Sequence, residues 1–270
     1  MRKEYEREHT AAFFDEMGDG EWTRFEDGRT PPQSVAVHIR ELRRFVKAGD
    51  RVLDVGAGPG RFTIELAQLG ADVVVADISP RQLELNRERL TEAGLEERVP
   101  ERVLADVTDL SAFADDSFDA VVCYGGPLSY LIDRAEAGLA ELLRVTRAGG
   151  YVLVSVMSLV GAVVHYAELL LDLVRRDGVE PNEEIVRTGL LPQAEGYGHL
   201  PMKLYRWSEL EALLSRHGKI VAASAAGILP ALYPEEPKLR EFLEYVELEL
   251  AAESGALAAG EHIVAVVQKP

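Results

Sequence analysis

The sequence predicts an α/β fold in which helices cover both faces of a doubly wound, mostly parallel sheet of seven strands. Short apolar runs alternate with amphipathic runs of helical period, and this alternation is typical of parallel sheets with helical crossovers. One run, "DVVVAD" at 72–77, is apolar almost throughout, as expected for a strand buried on both faces. A glycine-rich turn, "DVGAGPG" at 54–60, follows the first strand, where such sheets bind ligands.

The remaining strands and helices are predicted from the spacing of apolar residues and from the glycines and prolines that end each element. Strands are predicted at 51–55, 72–77, 102–106, 118–125, 149–157, 219–226 and 261–268. Helices are predicted at 2–17, 33–47, 60–70, 79–94, 134–147, 158–176, 207–217 and 235–253. Seven glycines and prolines make 177–202 mostly loop, and 18–32 is also predicted as loop.

Four regions are expected along the chain. Residues 1–48 form an N-terminal helical cap, and residues 49–157 form the ligand-binding α/β core. An insertion at 158–206, after the fifth strand, is expected to act as a lid over a substrate. Residues 207–270 complete the sheet.

Composition limits the possible partners. The chain of 270 residues carries a formal net charge of −17, which repels phosphate backbones, so neither nucleic acid nor an anionic membrane is expected as partner. A single cysteine, Cys123, excludes an intrachain disulfide and a cysteine-based metal site, and no metal is expected. No apolar run reaches the ~18 residues that span a bilayer, and the charged N-terminus lacks a signal-peptide core. The expected location is the cytoplasm.

The glycine turn discriminates between nucleotide ligands. A triphosphate-binding P-loop would need Lys at position 62, where the chain has Phe62. A dinucleotide site would need a third glycine at position 61, where the chain has Arg61. The carboxylate of Asp54, two residues before the first glycine, would repel a pyrophosphate but suits a cation.

The motifs resemble those of class I S-adenosylmethionine-dependent methyltransferases of the small-molecule type. "VLDVGAGPG" is similar to the family's first motif, and Asp77 and Asp106 end the second and third strands as its next two acids do. "FDAVVCYGGPLSYL" and "RVTRAGGYVLVSV" resemble its fourth and fifth motifs, with Ala148 where the family often has proline. The resemblance is strong over 33–157 and weak over the final strands.

This resemblance implies a Rossmann-like sheet of order 3-2-1-4-5-7-6, with strand 7 antiparallel. It implies S-adenosylmethionine as cofactor, with Asp77 taking both ribose hydroxyls and Asp106 reading the adenine together with the Val107 N–H. The implied cofactor-binding residues are Asp54, Gly56, Ala57, Gly58, Gly60, Asp77, Ile78, Gln82, Asp106, Val107, Cys123 and Tyr124.

The methyl acceptor is expected to be a small molecule. The loop "YGGPLSY" lacks the [DNS]-P-P-[YFW] sequence of enzymes that methylate bases in nucleic acids, and Cys123 lies in a strand as a small buried side chain. Three residues could act as general base, although each also has an ordinary structural interpretation: His199, His165 and Tyr130. The aromatic residues expected to form the other wall of the site are Tyr5, Phe14, Trp22 and Phe25.

Two alternatives stay open from the sequence. A NAD-dependent oxidoreductase would share the topology, although Arg61 argues against it. A non-catalytic S-adenosylmethionine-binding regulatory module would keep the motifs without turnover. The sequence leaves the oligomeric state and the methylated atom (O, N or C) undetermined.

Overall fold

A computed structural model of the chain describes residues 4–24, 32–193, 199–230, 232 and 234–270. The strands are β1 (Arg51–Val55), β2 (Asp72–Asp77), β3 (Glu101–Leu104), β4 (Phe118–Cys123), β5 (Thr146–Met157), β6 (Leu190–Leu191), β7 (Met202–Lys203), β8 (Lys219–Ala226) and β9 (His262–Gln268). The helices are α1 (Arg7–Met17), α2 (Gly20–Thr23), α3 (Pro32–Phe45), α4 (Arg61–Gln68), α5 (Pro80–Glu92), α6 (Pro127–Tyr130), α7 (Ala135–Val145), α8 (Leu159–His165), α9 (Ala167–Asp177), α10 (Val179–Thr188), α11 (Trp207–Ser215) and α12 (Pro237–Leu250).

Seven of the strands form one sheet in the order β3-β2-β1-β4-β5-β9-β8. The strand β9 runs antiparallel to both of its neighbours, and β1 to β5 are mutually parallel. The predicted strand order and the single antiparallel strand are therefore confirmed. The carboxyl ends of β1, β2, β4 and β5 meet at one edge, together with the first residue of β9, His262, which pairs with Met157.

Alternate residues of the central strands pack into two cores. On one face, residues such as Leu53 and Val121 lie against α7 and α11. On the other face, Val52 and Val122 lie against α3, α4 and α5. Because both faces are covered, the strands are apolar on both sides, which explains the continuous valine run of β2.

A buried cluster of charged side chains fixes α3 against β8 and α12. The side chain of Glu41 is fully buried and accepts hydrogen bonds from Arg40 at 2.8 Å and from Arg44 at 2.6 Å. Arg40 also donates to the carbonyl oxygen of Leu248 in α12 at 2.6 Å and to Ser224 Oγ in β8 at 2.9 Å. These contacts hold the inward face of α3 at one position on the sheet.

The N-terminal segment lies across the start of α5. The amide of Gln82 donates to the carbonyl oxygens of Phe14 and Gly18, both at 2.9 Å. Arg89 pairs with Asp19 at 2.7 Å and lies over the ring of Trp22. No residue of α1 is fully buried, so α1 has no core of its own.

The region after β5 differs from the prediction in two respects. The prediction of a single helix at 158–176 is wrong, because the helix is interrupted at Tyr166, between α8 and α9. The prediction that 177–202 is mostly loop is also wrong, because α10 occupies 179–188 and β6 pairs with β7. Pro181 lies in the first turn of α10, where a backbone N–H would have no partner within the helix, so proline is tolerated there. Gly189 ends the helix with a φ of 72°. The predicted loop at 18–32 contains α2, and its residues 25–31 lie outside the described chain.

Candidate active site

The glycine turn between β1 and α4 places the backbone where side chains would not fit. Gly56, Gly58 and Gly60 have φ angles of 65°, 55° and 99°, which disfavour any residue with a Cβ. A Cβ on Gly56 would lie 2.7 Å from Pro127 Cγ, in the loop after β4. The turn after β1 and the loop after β4 therefore approach each other so closely that position 56 must be glycine.

The carboxylate of Asp77 ties this turn to the end of β2. The Gly58 N–H donates to Oδ2 at 2.8 Å, and the Ser79 N–H donates to Oδ1 at 2.9 Å. Burial raises the pKa of Asp77 to about 6, although these backbone donors lower it. Each oxygen keeps further lone pairs, so the carboxylate can accept two more hydrogen bonds from a ligand.

Asp54 is buried behind the turn. It is 2% exposed and accepts a hydrogen bond from Thr63 Oγ1 at 2.7 Å, which links β1 to α4. Asn86 in turn donates to the same Thr63 hydroxyl at 3.0 Å. Burial raises the pKa of Asp54 to about 7, so this carboxyl is partly protonated at neutral pH.

A cavity of about 110 Å³ opens at this edge of the sheet. One end is formed by the turn and by Asp77, Ile78 and Gln82. The Oε1 atom of Gln82 is buried without a hydrogen-bond partner among the described residues. The other end is aromatic and lies between α4 and the loop after β4; its lining residues include Phe62, Tyr124, Gly125, Pro127, Tyr130 and Leu131.

The loop after β4 is held against β5 by two serine side chains. Ser155 Oγ accepts a hydrogen bond from the Gly125 N–H at 2.9 Å, and Ser129 Oγ accepts one from the Met157 N–H at 2.9 Å. The φ angles of Gly125 and Gly126 are 81° and 92°. Tyr124 and Tyr130, which precede and follow this turn in the sequence, both line the cavity.

The N-terminal segment closes the cavity from outside. Tyr5, Thr10, Phe14, Glu21 and Arg24 line it. The ring of Phe14 meets that of Tyr130 edge-on, with centroids 5.7 Å apart. Tyr5 and Phe14 therefore lie where the aromatic wall was predicted, while Phe25 lies outside the described residues.

Asp106 lies two residues after the end of β3, not at the strand end as predicted, and is covered by this segment. Tyr5 donates its hydroxyl to Oδ2 at 2.6 Å, and the Thr108 N–H and hydroxyl both donate to Oδ1 at 2.8 Å. The neighbouring residues Ala105 and Val107 line the cavity, whereas the Asp106 side chain is 2% exposed and does not.

The residues assigned from the sequence divide into two groups. Nine of them line the cavity: Gly56, Ala57, Gly58, Asp77, Ile78, Gln82, Val107, Tyr124 and Tyr130. The others lie elsewhere among the described residues: Asp54, Gly60, Asp106, Cys123, His165 and His199. The Cys123 side chain is fully buried in the core beneath the sheet, where burial raises the pKa of its thiol.

The two histidines proposed from the sequence lie outside the cavity wall. His165 Nε2 is 3.3 Å from the carbonyl oxygen of Ala259, at the end of α8. His199 Nδ1 is 2.9 Å from the carbonyl oxygen of Leu200. Tyr130 does line the cavity, and burial raises the pKa of its hydroxyl to about 12, so it is protonated at neutral pH. The role of each as a base stays a prediction.

A group of rings next to the aromatic end was not predicted. His38 of α3 packs against Phe62, Tyr124 and His262, with ring centroids 5.3, 4.9 and 5.8 Å away. His38 occupies the apolar stripe of its helix, three residues after Val35 and four before Leu42. A histidine in an otherwise apolar stripe was the available signal, and only the folded chain places it beside His262.

The described part of the chain offers neither a metal-binding cluster nor a membrane-spanning helix. Among the described residues, no group of three or more histidine, cysteine, aspartate or glutamate side chains could hold a metal ion. No helix in the described ranges is long and apolar enough to span a membrane.

Comparison with known proteins places the chain in a family. A family model for a methyltransferase domain matches residues 52–150. A demethylmenaquinone methyltransferase of Clavibacter sepedonicus is 39% identical over 172 residues, which are 62% of this chain and 63% of that protein. The chain thus spans less than two thirds of that relative's length. A demethylmenaquinone methyltransferase of Mycolicibacterium paratuberculosis is 33% identical over 183 residues, 67% of this chain and 69% of that protein.

Solved structures share this fold. A SAM-dependent methyltransferase from Methanosarcina mazei superposes with a TM-score of 0.58 at 20% identity, over 85% of this chain and 96% of that one. The glycine turn, the acid that ends β2 and the sheet order agree with these relationships. The chain belongs to the class I S-adenosylmethionine-dependent methyltransferases.

Proposed function

We propose that the protein transfers a methyl group from S-adenosylmethionine to a small-molecule acceptor. The observation that carries this proposal is one cavity with two chemically different ends. A polar end contains Asp77 and the glycine turn, and an aromatic end contains Phe62, Tyr124 and Tyr130. On this proposal the cofactor lies at the polar end and the acceptor at the aromatic end, next to each other.

The residues at the polar end fit an adenosine-bearing cofactor. Asp77 has further lone pairs for ribose hydroxyls, and the buried Gln82 Oε1 has no hydrogen-bond partner in the described part of the chain. The absence of a Cβ at Gly56 and Gly58 lets a ligand approach the backbone closely. The resemblance assigns the adenine to Asp106 and the Val107 N–H. In the structure Val107 lines the cavity, and the Tyr5 hydroxyl donates a hydrogen bond to Asp106 Oδ2.

S-adenosylmethionine, when bound, supplies an activated methyl group on a positively charged sulfur. The chain's own contribution is to orient the acceptor and to exclude water, which accounts for much of the rate in a positioning mechanism. The N-terminal segment supplies that exclusion, because Tyr5, Phe14 and Arg24 cover the cavity. The role of the insertion at 158–206 as a lid over the substrate stays a prediction, as does the cytoplasmic location.

Turnover tests the proposal directly. The protein is incubated with S-adenosylmethionine and a panel of small acceptors, and S-adenosylhomocysteine formation is measured. The names of the relatives make a reduced demethylmenaquinone analogue the first acceptor to include. Acceptor-dependent product that is lost in Asp77→Ala supports the proposal. Binding of the cofactor without product from any acceptor would favour a regulatory module instead.

A further inference from the structure

Both oxygens of the Asp106 carboxylate are held by groups of the protein itself. Oδ1 accepts hydrogen bonds from the Thr108 N–H and hydroxyl, both at 2.8 Å, and Oδ2 accepts one from the Tyr5 hydroxyl at 2.6 Å. Asp106 is 2% exposed, whereas its neighbours Ala105 and Val107 line the cavity. The backbone around Asp106 thus borders the cavity, while its carboxylate does not.

Tyr5 contacts both this carboxylate and the cavity. Its ring lines the cavity and packs against the core beneath the sheet, and its N–H donates to Asp133 Oδ1 at 2.9 Å. Burial raises the pKa of Tyr5, and the hydrogen bond to Asp106 and its negative charge raise it further, so the hydroxyl keeps its proton and donates. The Tyr5–Asp106 bond therefore ties the N-terminal segment to the chain that follows β3.

An adenine amine could reach Asp106 Oδ2 only by taking the place of the Tyr5 hydroxyl, because the carboxylate is buried. An O–H donor bonds an ionised carboxylate strongly, and 2.6 Å is typical of such bonds. Exchange for an amine would gain little and would release the segment that covers the cavity. Val107, by contrast, already lines the cavity and needs no such exchange.

We infer that Asp106 is a positioning residue that acts through Tyr5. The Tyr5–Asp106 bond keeps the N-terminal segment closed over the adenine of the bound cofactor, and the Asp106 carboxylate makes no hydrogen bond to the adenine amine. This inference rests on the proposed function and adds the contact that retains the cofactor. Because no residue of α1 is fully buried, loss of this bond lets the segment open more often, and the cofactor leaves faster.

Tyr5→Phe tests the bond, because it removes the hydroxyl and keeps the ring that lines the cavity. We expect S-adenosylhomocysteine to dissociate from this variant about tenfold faster than from the wild type, since a charge-assisted hydrogen bond is lost. Surface plasmon resonance on the immobilised protein measures the rate. Tyr245→Phe is the matched control, because Tyr245 lies on α12 and is 60% exposed, and its rate should be unchanged.

Asp106→Asn separates the two roles of the carboxylate. The Thr108 N–H and hydroxyl hold the amide oxygen at the Oδ1 position, which places the NH₂ group where Oδ2 was. A tyrosine hydroxyl accepts as well as donates, so the bond to Tyr5 survives with its direction reversed and the dissociation rate should stay within about threefold of the wild type. If the carboxylate bound the adenine amine instead, two NH₂ groups would meet, and affinity would fall by about tenfold or more.

A modified ligand tests the same point from the other side. The analogue of S-adenosylhomocysteine in which purine replaces adenine lacks the amino group and keeps the ring nitrogens. Titration calorimetry gives the preference for S-adenosylhomocysteine over this analogue. That preference should be the same in the wild type and in Asp106→Asn, because the carboxylate does not bind the amine. A preference in the wild type that disappears in Asp106→Asn would overturn the inference.

The outcomes distinguish this inference from the proposed function. If S-adenosylhomocysteine binds the wild type but leaves a folded Tyr5→Phe at the wild-type rate, the role of the Tyr5–Asp106 bond is wrong and the cofactor site stands. If Tyr5→Phe does not fold, the rate and the ligand preference of Asp106→Asn decide. Failure of S-adenosylhomocysteine to bind the wild type would overturn the proposed function and this inference together.

Discussion

The Gly58 N–H donates to Asp77 Oδ2 across 2.8 Å, which joins the turn after β1 to the end of β2. The bond fixes the carboxylate at one end of the cavity, with its other oxygen held by the Ser79 N–H. Asp77 is thus placed before any ligand arrives, so little binding energy is spent on orienting it.

Replacement of Asp77 should remove most of the cofactor affinity. We expect Asp77→Ala to weaken S-adenosylhomocysteine binding roughly 30-fold or more, because ~2 kcal/mol of hydrogen bonding to a charged acceptor is lost. Titration calorimetry measures the change. Asp72→Ala is the matched control, since Asp72 begins the same strand with a side chain 59% exposed, and its affinity should be unchanged. Equal affinities for the two variants would show that Asp77 does not hold the ribose.

The same carboxylate should make binding depend on pH. The pKa of Asp77 is raised to about 6 by burial, with the Glu21 charge adding to the rise. Hydroxyl donors favour the ionised form, so the ligand lowers this pKa and binding releases a proton below pH 6. Affinity for S-adenosylhomocysteine should therefore be constant above about pH 7 and fall as the pH drops through 6. Calorimetry from pH 5 to 8 checks this, and Asp77→Asn should lose that fall; a fall that survives belongs to another group, such as Asp54.

The N-terminal segment should open and close over the ligand. No residue of α1 is fully buried, and its links to α5 are polar, so its amides should exchange with solvent faster than those of β1. Since Tyr5 and Phe14 line the cavity, S-adenosylhomocysteine should slow exchange in α1 by about tenfold or more. Hydrogen exchange followed by mass spectrometry measures this, with α12 as the internal reference. Equal protection of α1 with and without the ligand would contradict the closing role.

The glycines of the turn should differ in their tolerance of alanine. At Gly56 an added Cβ meets Pro127 Cγ at 2.7 Å and also requires a positive φ, so Gly56→Ala should cost ~3 kcal/mol of unfolding free energy. At Gly58 the nearest atom to an added Cβ is Gln82 Oε1 at 3.9 Å, so Gly58→Ala should cost only ~1 kcal/mol for its positive φ. Urea denaturation measures both. Similar losses for the two variants would mean that the approach of the loop after β4 is looser than described.

The core of the fold was predictable because burial on both faces leaves a continuous apolar run in the sequence. The valines of β2 and the helix start at Ser79, whose side chain accepts the Gln82 N–H, follow from such local patterns. The helix α10 was not predictable in this way. Gly178, Pro181 and Gly189 look like loop residues, but two of them stand at the ends of the helix and the third in its first turn.

The polar end of the site was predictable from the sequence, as were Tyr124 and Tyr130 at its aromatic end, but the histidines beside that end were not. Asp77 follows a strand within a recognisable motif, so its place at the sheet edge follows from the order of the strands. His38 and His262 come from α3 and β9, far apart in sequence, and meet because α3 packs beside β8 and β9 is inserted next to β5. No local pattern encodes that meeting, which depends on the Arg40 and Glu41 cluster that docks α3.

The most direct test of a cofactor site at the glycine turn is calorimetry of the wild-type protein with S-adenosylhomocysteine and, separately, with NAD. The arrangement of Asp77 and the turn predicts saturable binding of S-adenosylhomocysteine and no measurable binding of NAD, since Arg61 begins α4 where a dinucleotide site needs a third glycine. Binding of NAD without binding of S-adenosylhomocysteine would contradict the account.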